Sequence, residues 1–105
     1  MVRNALIESR MDEVRQLCRR HHVRRLDVFG SAASEAFDPQ HSDLDFVVEF
    51  NDDVARTGFS GDYFSLLAAL EALFGRRVDL IEPEGIRNPL FRRQLEQTRQ
   101  PIYEA

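Results

Sequence analysis

The chain has 105 residues, of which 43% are hydrophobic and 30% are charged, and one is a cysteine. This length is typical of a domain with a single hydrophobic core, so residues 1–105 are expected to form one domain. No apolar stretch approaches the roughly 20 residues of a membrane-spanning helix, and no leader peptide is recognisable, so a cytoplasmic protein without a membrane partner is expected. A single Cys18 excludes an internal disulfide, and no Cys/His set has the spacing of a zinc site.

Charge is distributed unevenly along the chain. Residues 1–25 carry seven arginines and three acids, and residues 56–105 carry seven residues of each sign. Residues 26–55 carry eight acids and no basic residue, so this segment is expected to need a cation. The net charge of −4 does not favour direct binding to nucleic acid. All fourteen basic residues are arginines, which excludes mechanisms that need a lysine, among them a Walker A site, a Schiff base and a magnesium-dependent phosphoacceptor domain.

Three short runs rich in β-branched and aromatic residues predict strands. They cover residues 25–29, 43–50 and 77–81, and the last is closed by Pro83. Each run is preceded by a segment with helical periodicity or small residues. The order of elements therefore predicts a small mixed sheet covered by helices, an α/β (α+β) fold with the order α-β-α-β-α-β-α.

Apolar residues at helical spacing predict the helices between these strands. One helix is expected over residues 3–20 and another from Tyr63 to Phe74, stopped by Gly75. A short helical turn and a loop are expected over residues 32–41. Asn88 before proline has the pattern of a helix N-cap, so a last helix should run from there to about Thr98.

Three aspartates in the predicted strands are candidates for a metal site. Asp43 and Asp45 are separated by one residue, so in a strand their side chains leave the same face. Asp79 lies inside the apolar run of the third strand, where an isolated carboxylate is costly to bury. If the third strand lies beside the second, all three carboxylates can face one site. Oxygen ligands without histidine or cysteine favour magnesium over zinc.

Gly30 and Ser31 follow the first strand and precede a helical turn. Glycine allows the backbone to approach a phosphate closely, and backbone N–H groups together with a serine hydroxyl can bind its oxygens. This pair alone is weak evidence, and Ser31 could simply cap a helix. The order of the pair, the Asp-x-Asp strand and the third aspartate is more specific.

These motifs resemble a known family. Phe29-Gly30-Ser31, then Ser42-Asp43-Leu44-Asp45-Phe46, then Val78-Asp79-Leu80-Ile81 look like the minimal nucleotidyltransferase domain of the DNA polymerase β superfamily, of the kind paired with HEPN toxins. The resemblance covers nearly the whole chain. It implies a transferase that uses ATP or another nucleoside triphosphate and two magnesium ions to move a nucleoside monophosphate to a hydroxyl acceptor. A tyrosine of a HEPN partner is the acceptor that such antitoxins modify, in type VII-like toxin–antitoxin pairs.

The resemblance also implies roles for individual residues. Gly30 and Ser31 would hold the triphosphate, Asp43 and Asp45 would ligate the metals, and Asp79 would complete the second metal site and help to deprotonate the acceptor. Many members have an arginine soon after Gly-Ser, whereas Ala32-Ala33-Ser34-Glu35 follows here, so the triphosphate must be met by metal and backbone or by an arginine from elsewhere. The alternative is a non-catalytic antitoxin that neutralises its partner by binding, and both a homodimer and a hetero-oligomer remain open.

Overall fold

The structure, a computed structural model, describes residues 4–33, 43–51 and 61–105. A four-stranded mixed sheet with the order β3-β2-β1-β4 forms its centre. Strand β1 pairs antiparallel with both β2 and β4, and β2 pairs parallel with β3. The strands are β1 (Val23–Phe29), β2 (Leu44–Phe50), β3 (Val78–Ile81) and β4 (Gln100–Glu104).

Helices occur before, between and after these strands. They are α1 (Ala5–Glu8), α2 (Met11–Arg20), α3 (Gly61–Phe74) and α4 (Pro89–Thr98), with 3₁₀ turns at Gly30–Ala33 and Pro83–Gly85. The predicted N-cap of the last helix is confirmed, since the Asn88 side chain accepts hydrogen bonds from the Leu90 and Phe91 backbone N–H groups at 2.9 and 3.3 Å. No helix in the described ranges is both long enough and apolar enough to cross a membrane.

The first face of the sheet is covered by α2 and α3 and is entirely apolar at its centre. Alternate residues of the three strands predicted from the sequence point into this core, and Cys18 lies in it as expected from its helical stripe. The buried set includes Val14, Cys18, Leu26, Val28, Leu44, Phe46, Val48, Leu66, Leu70, Phe74, Val78 and Leu80. Burial on this face supplies most of the hydrophobic stabilisation of the fold.

The second face of the sheet has a smaller apolar cluster than the first face, and it also carries charged side chains. Phe29, Val47 and Leu95 form a separate buried cluster, through which α4 packs on the sheet. Because side chains alternate along a strand, the residues two positions from Phe29 and Val47 share this face. The candidate aspartates therefore lie at one end of the second face, and an ion-pair network lies at the other.

The ion-pair network is built around Asp27, which is fully buried. The Arg25 guanidinium lies 2.9 Å from its carboxylate, and Arg99 contacts the same carboxylate. Arg99 also pairs with Glu49 at 3.2 Å and Glu96 at 3.0 Å. Because Arg99 directly follows α4, this network fixes the C-terminal end of that helix to the sheet. For Asp27 and Glu49, the cations that residues 26–55 are expected to need are arginines from other segments of the chain.

Two elements differ from the sequence prediction. The first helix is interrupted at Ser9 and Arg10, where the Ser9 hydroxyl donates to the Leu6 carbonyl oxygen at 2.8 Å and competes with continued helix. Strand β4 was not predicted, because it is short and contains Pro101, which normally argues against a strand. β4 lies at the edge of the sheet and its ladder with β1 is irregular beside Asp27, the residue that pairs with Pro101, as is usual for a proline-containing strand.

The fold class is otherwise the predicted one, a mixed sheet with helices packed against it. The short helix and loop expected at 32–41 fall mostly outside the described residues, as do most of the loop at 51–61 and the side chain of Ser31.

Candidate active site

The pairing of β2 with β3 brings two of the three candidate aspartates face to face. Asp45 and Asp79 are direct partners in the parallel register. Asp43 directly precedes β2 and lies two residues from Asp45, on the same side of the strand. The register is held at this end by a hydrogen bond of 3.2 Å from the Leu44 N–H to the Arg77 carbonyl oxygen. The sheet therefore gathers Asp43, Asp45 and Asp79 at one end of its second face.

The electrostatics of this cluster are unfavourable for three ionised groups. Burial raises the pKa of Asp45 to about 6, with further contributions from a hydrogen bond to Asp79 and from the negative charges of Asp79 and Asp43. Asp43 is half-buried and Asp79 is exposed to solvent. A cation at this end of the sheet would remove the repulsion that raises the pKa of Asp45.

Gly30 lies directly against Asp45. Its φ of +66° is rarely adopted by residues with a side chain, and a Cβ atom at this position would lie 2.6 Å from Asp45 Oδ2. This proximity follows from the sheet register, since the preceding residue, Phe29, is the β1 partner of Asp45. The glycine turn and the aspartates, which the sequence places in separate segments, therefore form one site.

An open groove of about 720 Å³ adjoins the carboxylates. Asp45 and Asp79 line it together with Phe29, Ile81, Phe91 and Arg77. Within the part of the chain that the structure describes, Arg77 forms no ion pair. Arg77 and Phe91 are not among the site residues predicted from the sequence. The signal that could have identified Arg77 is its position two residues before Asp79, on the same side of an extended segment.

The described residues contain no group of three or more His, Cys, Asp or Glu side chains that is arranged to enclose a metal ion. The chemistry of the donor set nevertheless fits a hard divalent cation, because Asp43, Asp45 and Asp79 offer carboxylate oxygens alone. The mutual repulsion at Asp45 is the property that such a cation would relieve.

The sequence pattern of the nucleotidyltransferase domain family matches residues 11–102. The chain belongs to this family. The matched range includes all five candidate site residues, and the prediction that the protein is an enzyme, a nucleotidyltransferase, is confirmed. The roles of the individual residues stay predictions.

Known relatives of this nucleotidyltransferase agree in sequence and fold. A candidate protein adenylyltransferase of Methanocaldococcus jannaschii is 32% identical over 95 residues, which cover 83% of this chain and 92% of the relative. The solved structure of a candidate minimal nucleotidyltransferase is 35% identical, has a TM-score of 0.72 and aligns over 90% of this chain and 91% of its own.

Toxin–antitoxin complexes also contain the nucleotidyltransferase fold. One such complex, solved with AMP-PNP, matches with a TM-score of 0.62 at 18% identity over 90% of this chain and 73% of that chain. Another holds a tri-AMPylated HEPN toxin of Shewanella oneidensis with its MNT antitoxin and matches with a TM-score of 0.58 at 16% identity, over 93% of this chain and 72% of that chain. At these identities the likeness concerns the fold.

Proposed function

We propose that this nucleotidyltransferase uses magnesium to move AMP from ATP to a hydroxyl group of a HEPN-type partner protein in the cytoplasm, as the antitoxin of a type VII-like pair. The observation that carries the proposal is the register of β2 and β3, which sets Asp45 opposite Asp79 beside the glycine turn at Gly30. Carboxylates that form no ion pair with the described residues, next to a glycine turn, are groups that a metal-dependent nucleotidyl transfer can use.

The three aspartates would hold the metal ions through their carboxylate oxygens. When bound, magnesium neutralises charge on the phosphates and stabilises the attacking and leaving oxygens. The same carboxylates repel one another in the unliganded protein, so binding of the substrate complex removes a destabilising interaction at Asp45.

The triphosphate would lie against the turn at Gly30–Ala33. The missing side chain of Gly30 leaves the backbone accessible, and Ser31 would supply a hydroxyl donor. Arg77 would take the place of the arginine that many members carry after Gly-Ser, since it lines the same groove as Asp45 and Asp79. A guanidinium suits this task because it donates several hydrogen bonds in a plane.

In the reaction, the acceptor hydroxyl oxygen forms a bond to the α-phosphorus in line with the departing group. The bond from the α-phosphorus to the bridging oxygen breaks, and pyrophosphate leaves. Asp79 would accept the hydroxyl proton, because it is exposed to the groove side of the sheet where an acceptor can approach.

The identity of the acceptor is supported by the names of the relatives. The Methanocaldococcus protein is described as a candidate protein adenylyltransferase, and the Shewanella complex contains an AMPylated HEPN toxin with its antitoxin. Both support a protein as the acceptor of AMP, and the Shewanella complex supports a hetero-oligomer as the working assembly.

The proposal is tested by the thermal midpoint of the wild type and of Asp43→Asn/Asp45→Asn, each with and without ATP and magnesium. A ligand at 100 times its dissociation constant should stabilise the wild type by about 2.7 kcal/mol, and the variant should gain nothing. Asp12→Asn/Glu13→Gln removes the same charge from the surface of α2 and should respond like the wild type.

Transfer is then measured with ATP labelled at the α-phosphate and a co-expressed HEPN protein. Label on the partner that depends on Asp43 and Asp45 is the expected result. A wild type that binds the partner but neither binds ATP nor labels the partner would show that the antitoxin acts by binding alone.

A further inference from the structure

Phe91 is an aromatic side chain on α4 that remains accessible in the folded protein. It is 38% exposed although it contacts Phe29, with ring centroids 6.1 Å apart and an interplanar angle of 73°. This edge-to-face contact positions the ring without covering it. An aromatic ring held in place but left open to solvent can stack on a planar ligand.

The position of Phe91 distinguishes it from other exposed apolar residues. Among the described residues, the large hydrophobic side chains that remain exposed are Phe64, Leu90 and Phe91. Phe91 lines the groove next to the carboxylates, whereas Phe64 and Leu90 do not. Its exposure therefore occurs at the candidate active site.

The sheet places this aromatic region next to the polar end of the groove. Phe29 directly precedes Gly30 and pairs with Asp45, and Ile81 lies two residues after Asp79 on the same face of β3. The groove is thus lined by the carboxylates of Asp45 and Asp79 and, beside them, by the apolar side chains of Phe29, Ile81 and Phe91. Its volume of about 720 Å³ is in the usual range for a small-molecule site.

We propose that Phe91, supported by Phe29 and Ile81, is the platform on which the base of the nucleoside triphosphate stacks. This inference rests on the proposed function, because it assigns the apolar lining of the groove to the base only if the carboxylates take the metal-bound phosphates. Stacking uses the π-face that every base has, and a purine offers a larger face than a pyrimidine. ATP is therefore expected to bind more tightly than UTP, and the difference depends on Phe91.

The test measures dissociation constants of Phe91→Ala for magnesium complexes of ATP, UTP and inorganic tripolyphosphate, which has no base. The variant is expected to bind ATP about five- to hundredfold more weakly than the wild type, the range found when an aromatic platform is removed from a base. Tripolyphosphate should bind the variant and the wild type equally. Phe91→Trp should keep tight binding of ATP.

Phe64→Ala is the matched control, because it removes an exposed ring, 64% accessible, that does not itself line the groove. It should leave all three dissociation constants unchanged. The thermal midpoint of each unliganded variant establishes that it is folded, and Phe91→Trp provides a second variant if Phe91→Ala does not fold.

The outcomes separate this inference from the proposed function. Unchanged ATP binding by Phe91→Ala, or an equal loss of ATP and tripolyphosphate, overturns the platform and leaves the proposed function standing. A loss of partner association with no change in ATP binding also overturns it and assigns the ring to a protein interface. A wild type that binds neither ATP nor tripolyphosphate with magnesium overturns both proposals.

Discussion

The second face of the sheet carries two aspartates on neighbouring strands, Asp27 of β1 and Asp45 of β2, whose surroundings are opposite in charge. Asp27 is fully buried, and two arginines, Arg25 and Arg99, contact its carboxylate. Asp45 is half-buried, and its charged neighbours are Asp43 and Asp79. Asp27 pairs with Val47 in the sheet register, and Asp45 pairs with Phe29 of the same apolar cluster. The same chemical group is thus neutralised by arginines at Asp27, whereas no residue in the described ranges forms an ion pair with Asp45.

This difference indicates which acid serves the fold and which serves a ligand. Burying an unpaired carboxylate costs several kcal/mol, so a structural acid is expected to have its partners within the chain. An acid such as Asp45, whose pKa is raised by burial and by neighbouring acids, is typical of a functional site. The ion pairs of Asp27 with arginines, and the absence of an ion pair at Asp45 among the described residues, therefore assign the two aspartates to different tasks.

The largest expected effect concerns the ion pairs of Asp27. Arg99→Met leaves Asp27 with Arg25 alone and should lower the free energy of unfolding by about 3 kcal/mol, at the lower end of the range for breaking a buried ion pair because one partner remains. Urea denaturation followed by circular dichroism measures this loss.

Arg15→Met is the control for Arg99→Met, since Arg15 pairs with Asp12 at 3.3 Å on the exposed surface of α2. It should cost less than about 1 kcal/mol. Equal losses in the two variants would mean that the network around Asp27 contributes no more than a surface ion pair.

A second variant tests the close approach of Gly30 to Asp45. Gly30→Ala introduces a side chain at φ +66° and a Cβ that would lie 2.6 Å from Asp45 Oδ2, so it should cost about 1–2 kcal/mol of stability and also displace the Asp45 carboxylate. Binding of ATP with magnesium, measured by calorimetry, should be lost or strongly weakened.

Gly75→Ala provides the matched comparison. Gly75 has nearly the same φ, +62°, but a Cβ there meets nothing within 4 Å. It should lose similar stability through backbone strain and bind ATP like the wild type. If both variants bind ATP equally well, the contact between Gly30 and Asp45 has no part in the site.

The smallest expected effect concerns pH. The pKa of Asp45 is about 6 in the folded protein against 3.8 ordinarily. The protonated Asp45 carboxyl therefore makes its full contribution to the free energy of unfolding below about pH 4, and this contribution is lost as the pH rises through 6. Asp45→Asn removes this pH-dependent loss of stability. In the absence of ligand it should therefore be more stable than the wild type at pH 8 by about 1 kcal/mol, after allowance for solvent screening of the half-buried carboxyl.

Thermal midpoints of both proteins from pH 4 to pH 8 measure this difference, which should shrink towards pH 4. A constant difference across the range would show that Asp45 does not titrate abnormally, and greater stability of the wild type at pH 8 would show that the carboxylate is not repelled.

Local patterns predicted the part of the site that lies within single segments. The Asp-x-Asp spacing fixed Asp43 and Asp45 on one face, and the apolar neighbours of Asp79 identified it as an unusual strand residue. The ion pair between Asp27 and Arg99 could not be predicted, because the two residues are 72 positions apart and meet only through the packing of α4 on the sheet. Strand β4 was not predicted because it contains Pro101, and a proline in the sequence normally argues against a strand.

The alternation of β2 has a consequence for folding. Leu44, Phe46 and Val48 enter the main core, whereas Asp45 faces the groove, so a slip of one residue in the register would exchange the two sets. Such a misfolded chain would place carboxylates among the helices and expose the apolar side chains. The free-energy cost of that exchange favours the native geometry of the carboxylate cluster as well as that of the core. Molecules that acquire the native core thereby acquire a correctly assembled site, without a separate step of site formation.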